Sequence, residues 1–425
     1  MAARKPALPR LAVFSPLPPA VTGVADYTAE LLPHLSRHFS GVDAYVDDRF
    51  AEHPRDEGTH RVVPVKLFEA VDAKAPYDAV LYHHGNNPLH EYLYRQALRR
   101  RGIALLHDPV LHHYMAYTLG QGKDPGLYAE ELRYCEGEAG ALLAKSHANG
   151  LLREWHKFLV PMSDRVLAHS EAVIVHGAYA ERLVRTRFPD LPLTRVPHHY
   201  SPPRPEIDRL SQAEARRRVG VSEGAFLVGS FGFVSPAKRV EKALEAFARF
   251  ARAHPDARYV IVGELLQFDR ALVERLGIAE KVHFAGRVNL DDFQTWMIAV
   301  DVVVNLRYPS AGESSGSLVR SLGAGKPTLV SRMPYCADHP LDLTIQVPVG
   351  DGEVEALQAA FERLKSEPGF ARELGAAARA YARVRCTLEL CAEAQARVVY
   401  ECMARRGLPV PAEEPAGGLP RAGRR

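Results

Sequence analysis

The chain has 425 residues, more than one ordinary domain packs around a single core, so two domains are expected. Hydrophobic content of 47% and charged content of 25% fit a globular protein in water, and a net charge of +3 excludes the dense basic surface of a nucleic-acid binder. Five cysteines without CxxC spacing exclude a cysteine-ligated zinc site or a disulfide framework, so reduced thiols and a cytoplasmic location are expected.

No apolar run approaches the length of a membrane span. The N-terminus, MAARKPALPR, is basic, but prolines break the apolar segment after it, which makes a poor signal peptide. LAVFSP (11–16) then reads as a strand and leads through a Pro/Gly loop into the helix TAELLPHLSRHF. Gly23 stands at the mouth of that helix, where backbone could approach a ligand or simply make the connection. VDAYV and HRVVPV are further strands. YDAVLYHHGNN (77–87) is a strand ending in His83, His84, Asn86 and Asn87, and GIALLHDPVLHHY (102–114) is a strand ending in His107 and Asp108.

Successive parallel strands present their C-terminal ends along one edge. On that edge His107 could donate to a substrate hydroxyl, Asp108 could orient its neighbours, and His84 and Asn86 could meet an acceptor or sugar. The alternative is a set of ordinary hydrogen-bonded histidines, the reading preferred for His112 and His113. No spacing supports a metal site.

Residues 120–165 read as a polar, helical insertion able to cover a cleft. RVLAHSEAVIVHG returns to strand and AYAERLVRTRF to helix. The Pro-rich stretch 198–214 reads as an interdomain linker. A second α/β series follows: the strand GAFLVGSFGFV (224–234), the loop SPAKR, and an amphipathic helix with Val240, Ala243, Leu244 and Phe247 at helical spacing. Lys238 and Arg239 sit at that helix's N-terminus, where cations oppose the dipole, so they are either solvated or paired with an anion.

ARYVIVGE and KVHFAGRV are strands, and NLDDFQTWMIAV is a helix. VDVVVNL is a buried strand, followed by the loop YPSAGESSG, the helix SLVRSLGAG and the strand TLVS. Ser314 and Ser315 are natural N-caps. The N–H groups of Gly316, Ser317 and Leu318 would point at an anion, with Glu313 beside them to read hydroxyls. An ordinary helix cap is the competing reading. From about Glu353 to Arg406 the chain is helical with short breaks, and 407–425 is a Pro/Gly-rich tail expected to be disordered.

The stretches GSFGFVSPAKRVEKALEAF, YPSAGESSGSLVRSLGAGKPTLVS, LLHDP and ELCAEAQARVVYE together resemble the retaining glycosyltransferases of the GT-B fold, the glycogen-synthase-like group-1 family often called family 4. The resemblance covers nearly the whole chain and is most specific over 224–332. It implies two Rossmann-like, doubly wound α/β domains facing across a cleft. One is an acceptor-side domain over 1–200 with its helical insertion at 120–165. The other is a donor-binding domain over 201–385, followed by a helix at 386–406 that returns to the first.

By the same resemblance, Lys238 binds the donor diphosphate together with the backbone at Gly232, Ser315, Gly316, Ser317 and Leu318. Glu313 matches the first of two signature glutamates, His107 contacts the transferred sugar, and Gly23 belongs to the loop near phosphate and acceptor. Two departures stand out. The second signature glutamate is replaced by Arg320 or Ser321 in a loop one residue shorter, and the arginine of the family's Gly-Arg pair is Phe233 after Gly232. Arg239 is the residue expected to restore that charge.

The implied function is retaining transfer of a hexose-type sugar from a nucleoside-diphosphate donor to an acceptor hydroxyl, without metal or other cofactor. The acceptor would be a glycan, a lipid-linked sugar or a small molecule. The alternatives are a GT-B sugar-nucleotide epimerase and a non-catalytic scaffold or sugar-binding protein. The basic clusters Arg99–Arg101 and Arg216–Arg218 are read as solvated helix faces, with peripheral contact to the inner face of a membrane as the alternative.

Overall fold

The computed structural model describes residues 8–120, 124–152, 154–334 and 338–411. The chain divides into two compact units. The first holds Met1–His199, Ala311–Ser314 and Leu388–Arg425; the second holds Tyr200–Ser310 and Ser315–Thr387. Each is an α/β unit built on a sheet of parallel strands.

The first sheet contains β1 (Arg10–Phe14), β2 (Gly41–Val46), β3 (Arg55–Asp56), β4 (Arg61–Pro64), β5 (Ala79–His84), β6 (Ile103–Leu106), β7 (Ala172–Val175) and β8 (Leu193–Arg195). Their order is β3-β4-β2-β1-β5-β6-β7-β8, and only the short edge strand β3 runs antiparallel. The central strands are continuous apolar runs because helices cover both faces. The helix Gly23–Leu35 buries Tyr27, Leu31, Leu32 and Leu35 in the same core as Ala392, Val398, Val399 and Met403 of the helix Leu388–Arg405. Gln395 Nε2 donates to the Tyr27 hydroxyl at 2.9 Å, which satisfies a buried phenol.

The second sheet contains β9 (Phe226–Phe231), β10 (Ala257–Val262), β11 (Val282–Gly286), β12 (Val302–Asn305), β13 (Thr328–Ser331) and β14 (Ile345–Val347). It is wholly parallel, in the order β11-β10-β9-β12-β13-β14. The helix Val240–Ala253 lays Val240, Ala243, Leu244, Phe247 and Phe250 into the core. Each buried Phe there is worth about 1.5–3 kcal/mol.

Two sequence expectations gain detail and two need correction. The stretch 198–214 read as an interdomain linker contains the His199/Tyr200 boundary between the units, and within it lie the helix Pro205–Asp208 and the start of the helix Gln212–Val219, which Ser211 and Glu214 cap reciprocally. The insertion forms a helix over Pro125–Ala148, interrupted at Gly137 (φ 58°, ψ −137°). Of the proposed disordered tail, Leu408 and Val410 pack against the first unit's core, and 412–425 lie outside the described residues. In the Arg216–Arg218 cluster, Arg216 is buried and pairs with Asp301 at 2.6 Å, so it forms no part of a basic surface. Among the described residues no helix is long and apolar enough to cross a membrane.

Where β9 and β10 end, the backbone of their loops touches. Gly263 has φ +150°, and a Cβ built there would lie 2.0 Å from the Gly232 carbonyl oxygen. Gly263→Ala should therefore destabilise the fold by about 2–3 kcal/mol, since both the dihedral and the contact are unavailable to a side chain. Urea unfolding checks this; a loss below about 1 kcal/mol would show that the Gly232 loop can move aside.

Candidate functional site

In the second sheet the strand order reverses between β9 and β12, and the loops after these two strands diverge from a shared crevice. The β9 loop carries Gly232, Phe233 and Lys238. Gly232 has φ +94°, a conformation that needs glycine. A short 3₁₀ turn, Pro236–Lys238, then brings Lys238 back so that it lines a small cavity with Gly232, Phe233 and Asn305.

The β12 loop is tied to the β9 loop by the Tyr308 N–H, which donates to the Ala237 carbonyl at 2.8 Å. It ends at the helix Gly316–Gly323. Ser315 is the N-cap of that helix: its Oγ accepts from the Leu318 N–H at 3.2 Å. The Leu318 N–H is therefore taken. Gly316 and Ser317, the first two helical residues, keep N–H groups that no intrahelical carbonyl can reach.

Two residues that the sequence reading passed over hold this helix start. Asn305 Nδ2 donates to Ser317 Oγ at 2.8 Å, and Arg307 Nη2 donates to Ser315 Oγ at 2.7 Å. Both are buried, and the Arg307 N–H is anchored on Ser331 Oγ at 2.9 Å. The available signal was the pair of polar residues, Asn305 and Arg307, at the very end of an otherwise apolar strand.

Arg239 does not play the part expected of it. It begins the helix Val240–Ala253 with φ 51°, and its guanidinium grips Glu353, with Nε to Oε1 at 2.7 Å. Glu353 is 1% exposed, so releasing Arg239 would strand a buried carboxylate. Arg239 thus braces the loop; it does not restore the charge missing at Phe233. Ser321 is fully buried and donates to the Leu318 carbonyl at 2.7 Å while accepting from Thr328, so it reads no ligand either.

Glu313 lies in the segment Ala311–Ser314 that clusters with the first unit, and its Oε2 accepts from the Ala311 N–H at 2.9 Å.

In the first unit the strand order reverses between β1 and β5. Thr22 caps the helix that Gly23 begins, and a Cβ at Gly23 would meet nothing within 4 Å, so packing does not require glycine there. Asn86 and Asp108 act as struts: the Asn86 N–H donates to Asp108 Oδ2 at 2.7 Å, and Asn86 Oδ1 accepts from the Tyr114 N–H at 2.9 Å. His84 is 1% exposed and enclosed, which rules out the ligand contact expected of it.

His107 belongs to a chain of buried rings. His176 Nδ1 lies 2.9 Å from the Val196 carbonyl, His176 Nε2 is 3.3 Å from His107 Nδ1, and His107 Nε2 is 3.2 Å from His83 Nδ1. His83 Nδ1 is also 3.1 Å from Thr28 Oγ1, which is 2.7 Å from Ser15 Oγ, itself bonded to the Pro16 carbonyl. Burial, followed by the neighbouring rings, pushes His107 well below its ordinary value. Burial likewise pushes His83 down to about 3 and His176 down to about 4.

The rings are therefore neutral, and a carbonyl can only accept. His176 donates Nδ1–H to Val196, His107 donates Nδ1–H to His176, and His83 shares its Nδ1–H between His107 and Thr28. As placed, His107 has no hydrogen left for a substrate hydroxyl, which corrects the role read from sequence.

The matching sequence family now bears on these loops. Residues 211–381 match the family Glycosyl transferases group 1. The D-inositol 3-phosphate glycosyltransferase of Thermomonospora curvata is 28% identical over 239 residues, 52% of this chain and 53% of that protein. The chain spans about half the length of the curated relatives it matches. Sucrose-phosphate synthase from Thermosynechococcus elongatus has a similar fold, with a TM-score of 0.70 at 16% identity over 93% of this chain and 100% of that one. Anabaena HepE in complex with UDP and glucose is similar too, with a TM-score of 0.63 at 15% identity over 92% and 100%. These likenesses establish the GT-B arrangement of two α/β domains with parallel sheets.

The buried neutral histidines set a pH dependence. Below about 6.5 the unfolded chain takes up protons that His83, His84, His90 and His176 refuse in the folded state. Their contribution is present above about pH 6.5 and is lost as pH falls toward 4, by up to about 1.4 kcal/mol per pH unit for each ring. Chemical denaturation at about pH 7 and about pH 5 should show a fall of several kcal/mol. Equal stability at both would mean that the rings are protonated in the folded protein.

Proposed function

We propose that this chain transfers a hexose-type sugar, with retention, from a nucleoside-diphosphate donor to an acceptor hydroxyl. The observation that carries the reading is at the β9/β12 reversal: Lys238 lines a cavity with Asn305, which together with Arg307 holds the N-terminus of the helix Gly316–Gly323. The match of residues 211–381 to the Glycosyl transferases group 1 family supports it, and so does the UDP and glucose bound by the similarly folded HepE.

The reaction breaks the bond between the sugar's anomeric carbon and the diphosphate, and negative charge grows on the leaving oxygen. Donors already fixed in place stabilise that charge without reorganising during the step. The Gly316 and Ser317 N–H groups and the Lys238 ammonium take this role. Arg307 adds positive charge through the N-cap it holds, so the proposed chemistry needs no metal.

The acceptor hydroxyl attacks from the face the diphosphate leaves, its proton passing to a departing phosphate oxygen, which retains the configuration. Glu313 is assigned to the sugar hydroxyls. His107, whose nitrogens are engaged, supplies no proton. The acceptor is a glycan, a lipid-linked sugar or a small molecule, and the protein works in the cytoplasm or at the inner face of a membrane.

A second reading, a non-catalytic sugar-nucleotide binder, is favoured by one observation. Ser321 is sealed in its helix and Arg239 is committed to Glu353, so two groups expected at the donor are engaged elsewhere.

Calorimetry with UDP, GDP, ADP and their sugars in the presence of chelator should select one nucleotide, and Lys238→Ala should weaken its binding by about 10- to 100-fold. Turnover in that variant should fall by at least about 100-fold. Near-normal turnover would remove Lys238 from the site. Tight nucleotide binding by the wild type with neither transfer nor hydrolysis would establish the second reading, and an inverted anomer by NMR would overturn retention.

A further inference from the structure

After Gly232 the β9 loop pairs with the loop that follows β10. Val234 and Leu265 form a parallel bridge, in which the Val234 N–H donates to the Glu264 carbonyl at 2.8 Å and the Val234 carbonyl accepts from the Leu266 N–H at 2.7 Å. Val234 is buried, and Leu265 packs against the core of the second unit. Neighbours along an extended backbone point to opposite faces, so the bridge turns Phe233 and Leu266 away from that core. Phe233 is 39% exposed and Leu266 43%. On the other side of Phe233 the Gly232 N–H donates to the Val262 carbonyl at 2.9 Å, and the Gly263 backbone lies against the Gly232 carbonyl. The outward ring is therefore clamped from both sides.

That ring stands at the donor loops: Phe233 lines the small cavity shared by Lys238 and Asn305. A phenyl ring donates no hydrogen to a phosphate oxygen and would displace water from it, so Phe233 does not share the diphosphate with Lys238. It offers an apolar face beside the ammonium. The rings attached directly to a nucleotide sugar's diphosphate are the ribose and the transferred sugar, and the base lies beyond the ribose. A hexose in its chair form presents a face of C–H bonds about as broad as a phenyl ring, while its equatorial hydroxyls project from the edge. A ribose is smaller and more puckered, and matches a flat ring less well.

We propose that Phe233 is a specificity-determining residue of the donor site, its ring packing against the C–H face of the hexose carried by the nucleoside diphosphate, with Leu266 extending the apolar surface. The assignment rests on the transferase reading and adds to it the surface that tells a nucleotide sugar from the bare nucleotide. Lys238 and the Gly316 and Ser317 N–H groups grip the diphosphate, which the leaving nucleotide keeps. Phe233 grips only what is transferred, so its contact ends when the sugar departs and the spent nucleotide is held less tightly than the donor. The departure from the family's Gly-Arg pair thus exchanges a cation for a surface that selects the sugar.

The test is calorimetric titration of the full-length chain with UDP-glucose against UDP, GDP-mannose against GDP, and ADP-glucose against ADP, in the presence of chelator. Phe233→Ala and Phe233→Asn remove the ring, and either suffices should the other fail a circular dichroism check. Phe233→Leu keeps an apolar surface, and Lys238→Ala is titrated alongside. For the pair that the wild type selects, loss of the ring should weaken the nucleotide sugar at least about fivefold and the nucleotide alone by less than about twofold. Phe233→Leu should keep most of the affinity, and Lys238→Ala should weaken both members of the pair alike.

Equal weakening of nucleotide sugar and nucleotide on loss of the ring would overturn the proposal by placing Phe233 against the nucleoside. No weakening of either would overturn it by removing Phe233 from the donor. In both cases the effect of Lys238→Ala would leave the donor reading standing. A wild-type chain that binds none of these nucleotides would overturn the proposal and the transferase reading together.

Discussion

A parallel sheet whose order reverses cannot be covered at the point of reversal. Each crossover is right-handed, so helices leaving adjacent strands toward opposite sides must part company at the strand C-terminal ends. In the second unit the parting strands are β9 and β12, and what the donor loops can do follows from that. Gly232 and Gly263 take dihedrals that let two loops touch backbone to backbone. Tyr308 stitches one loop to the other, and the Arg239–Glu353 pair fixes the helix that follows Lys238. The helix starting at Gly316 presents the N–H groups of Gly316 and Ser317, which no intrahelical carbonyl can reach. The chemistry at this place is electrostatic because the topology leaves N–H groups there and little else.

Much of this was legible in the sequence because the signals were local. β-Branched runs gave the buried strands, the 3.6-residue spacing of Val240, Ala243, Leu244 and Phe247 gave a helix face, and Ser315 was recognisable as a cap from its place before an apolar helix. What escaped depended on partners far along the chain. Nothing near Arg239 announces Glu353, which lies more than a hundred residues away, and without that partner Arg239 looks free to bind an anion. Arg307 was overlooked for the opposite reason: it sits at the end of an apolar strand, and only its hydrogen bond to Ser315 reveals that it serves the loop. The Pro-rich stretch near residue 200 marked the boundary between the units but hid a short helix, since Pro205 begins one there, a position that proline tolerates well.

The histidines show the same lesson more sharply. Strand ends rich in His suggested exposed proton donors on a sheet edge. The structure turns His83, His107 and His176 inward, and both nitrogens of His107 and His176 are taken up by their neighbours. A side chain's chemistry is set by which of its atoms remain uncommitted, and a sequence does not list commitments.

The run from the Val196 carbonyl through three imidazoles to Thr28 and Ser15 has a collective property that no single ring has. Its hydrogens run outward from His83 in both directions, because the carbonyl at each end can only accept. Reversing one ring would set two hydrogens, or two lone pairs, against each other at the next contact, and reversing all of them would set lone pairs against the terminal carbonyls, so the hydrogens stay as they are. The cluster therefore behaves as one network with a fixed pattern of hydrogens that diverges at His83 and is anchored at both ends by backbone. The backbone after β1 and the backbone beyond β8 are thereby held in a fixed relation across the middle of the first sheet.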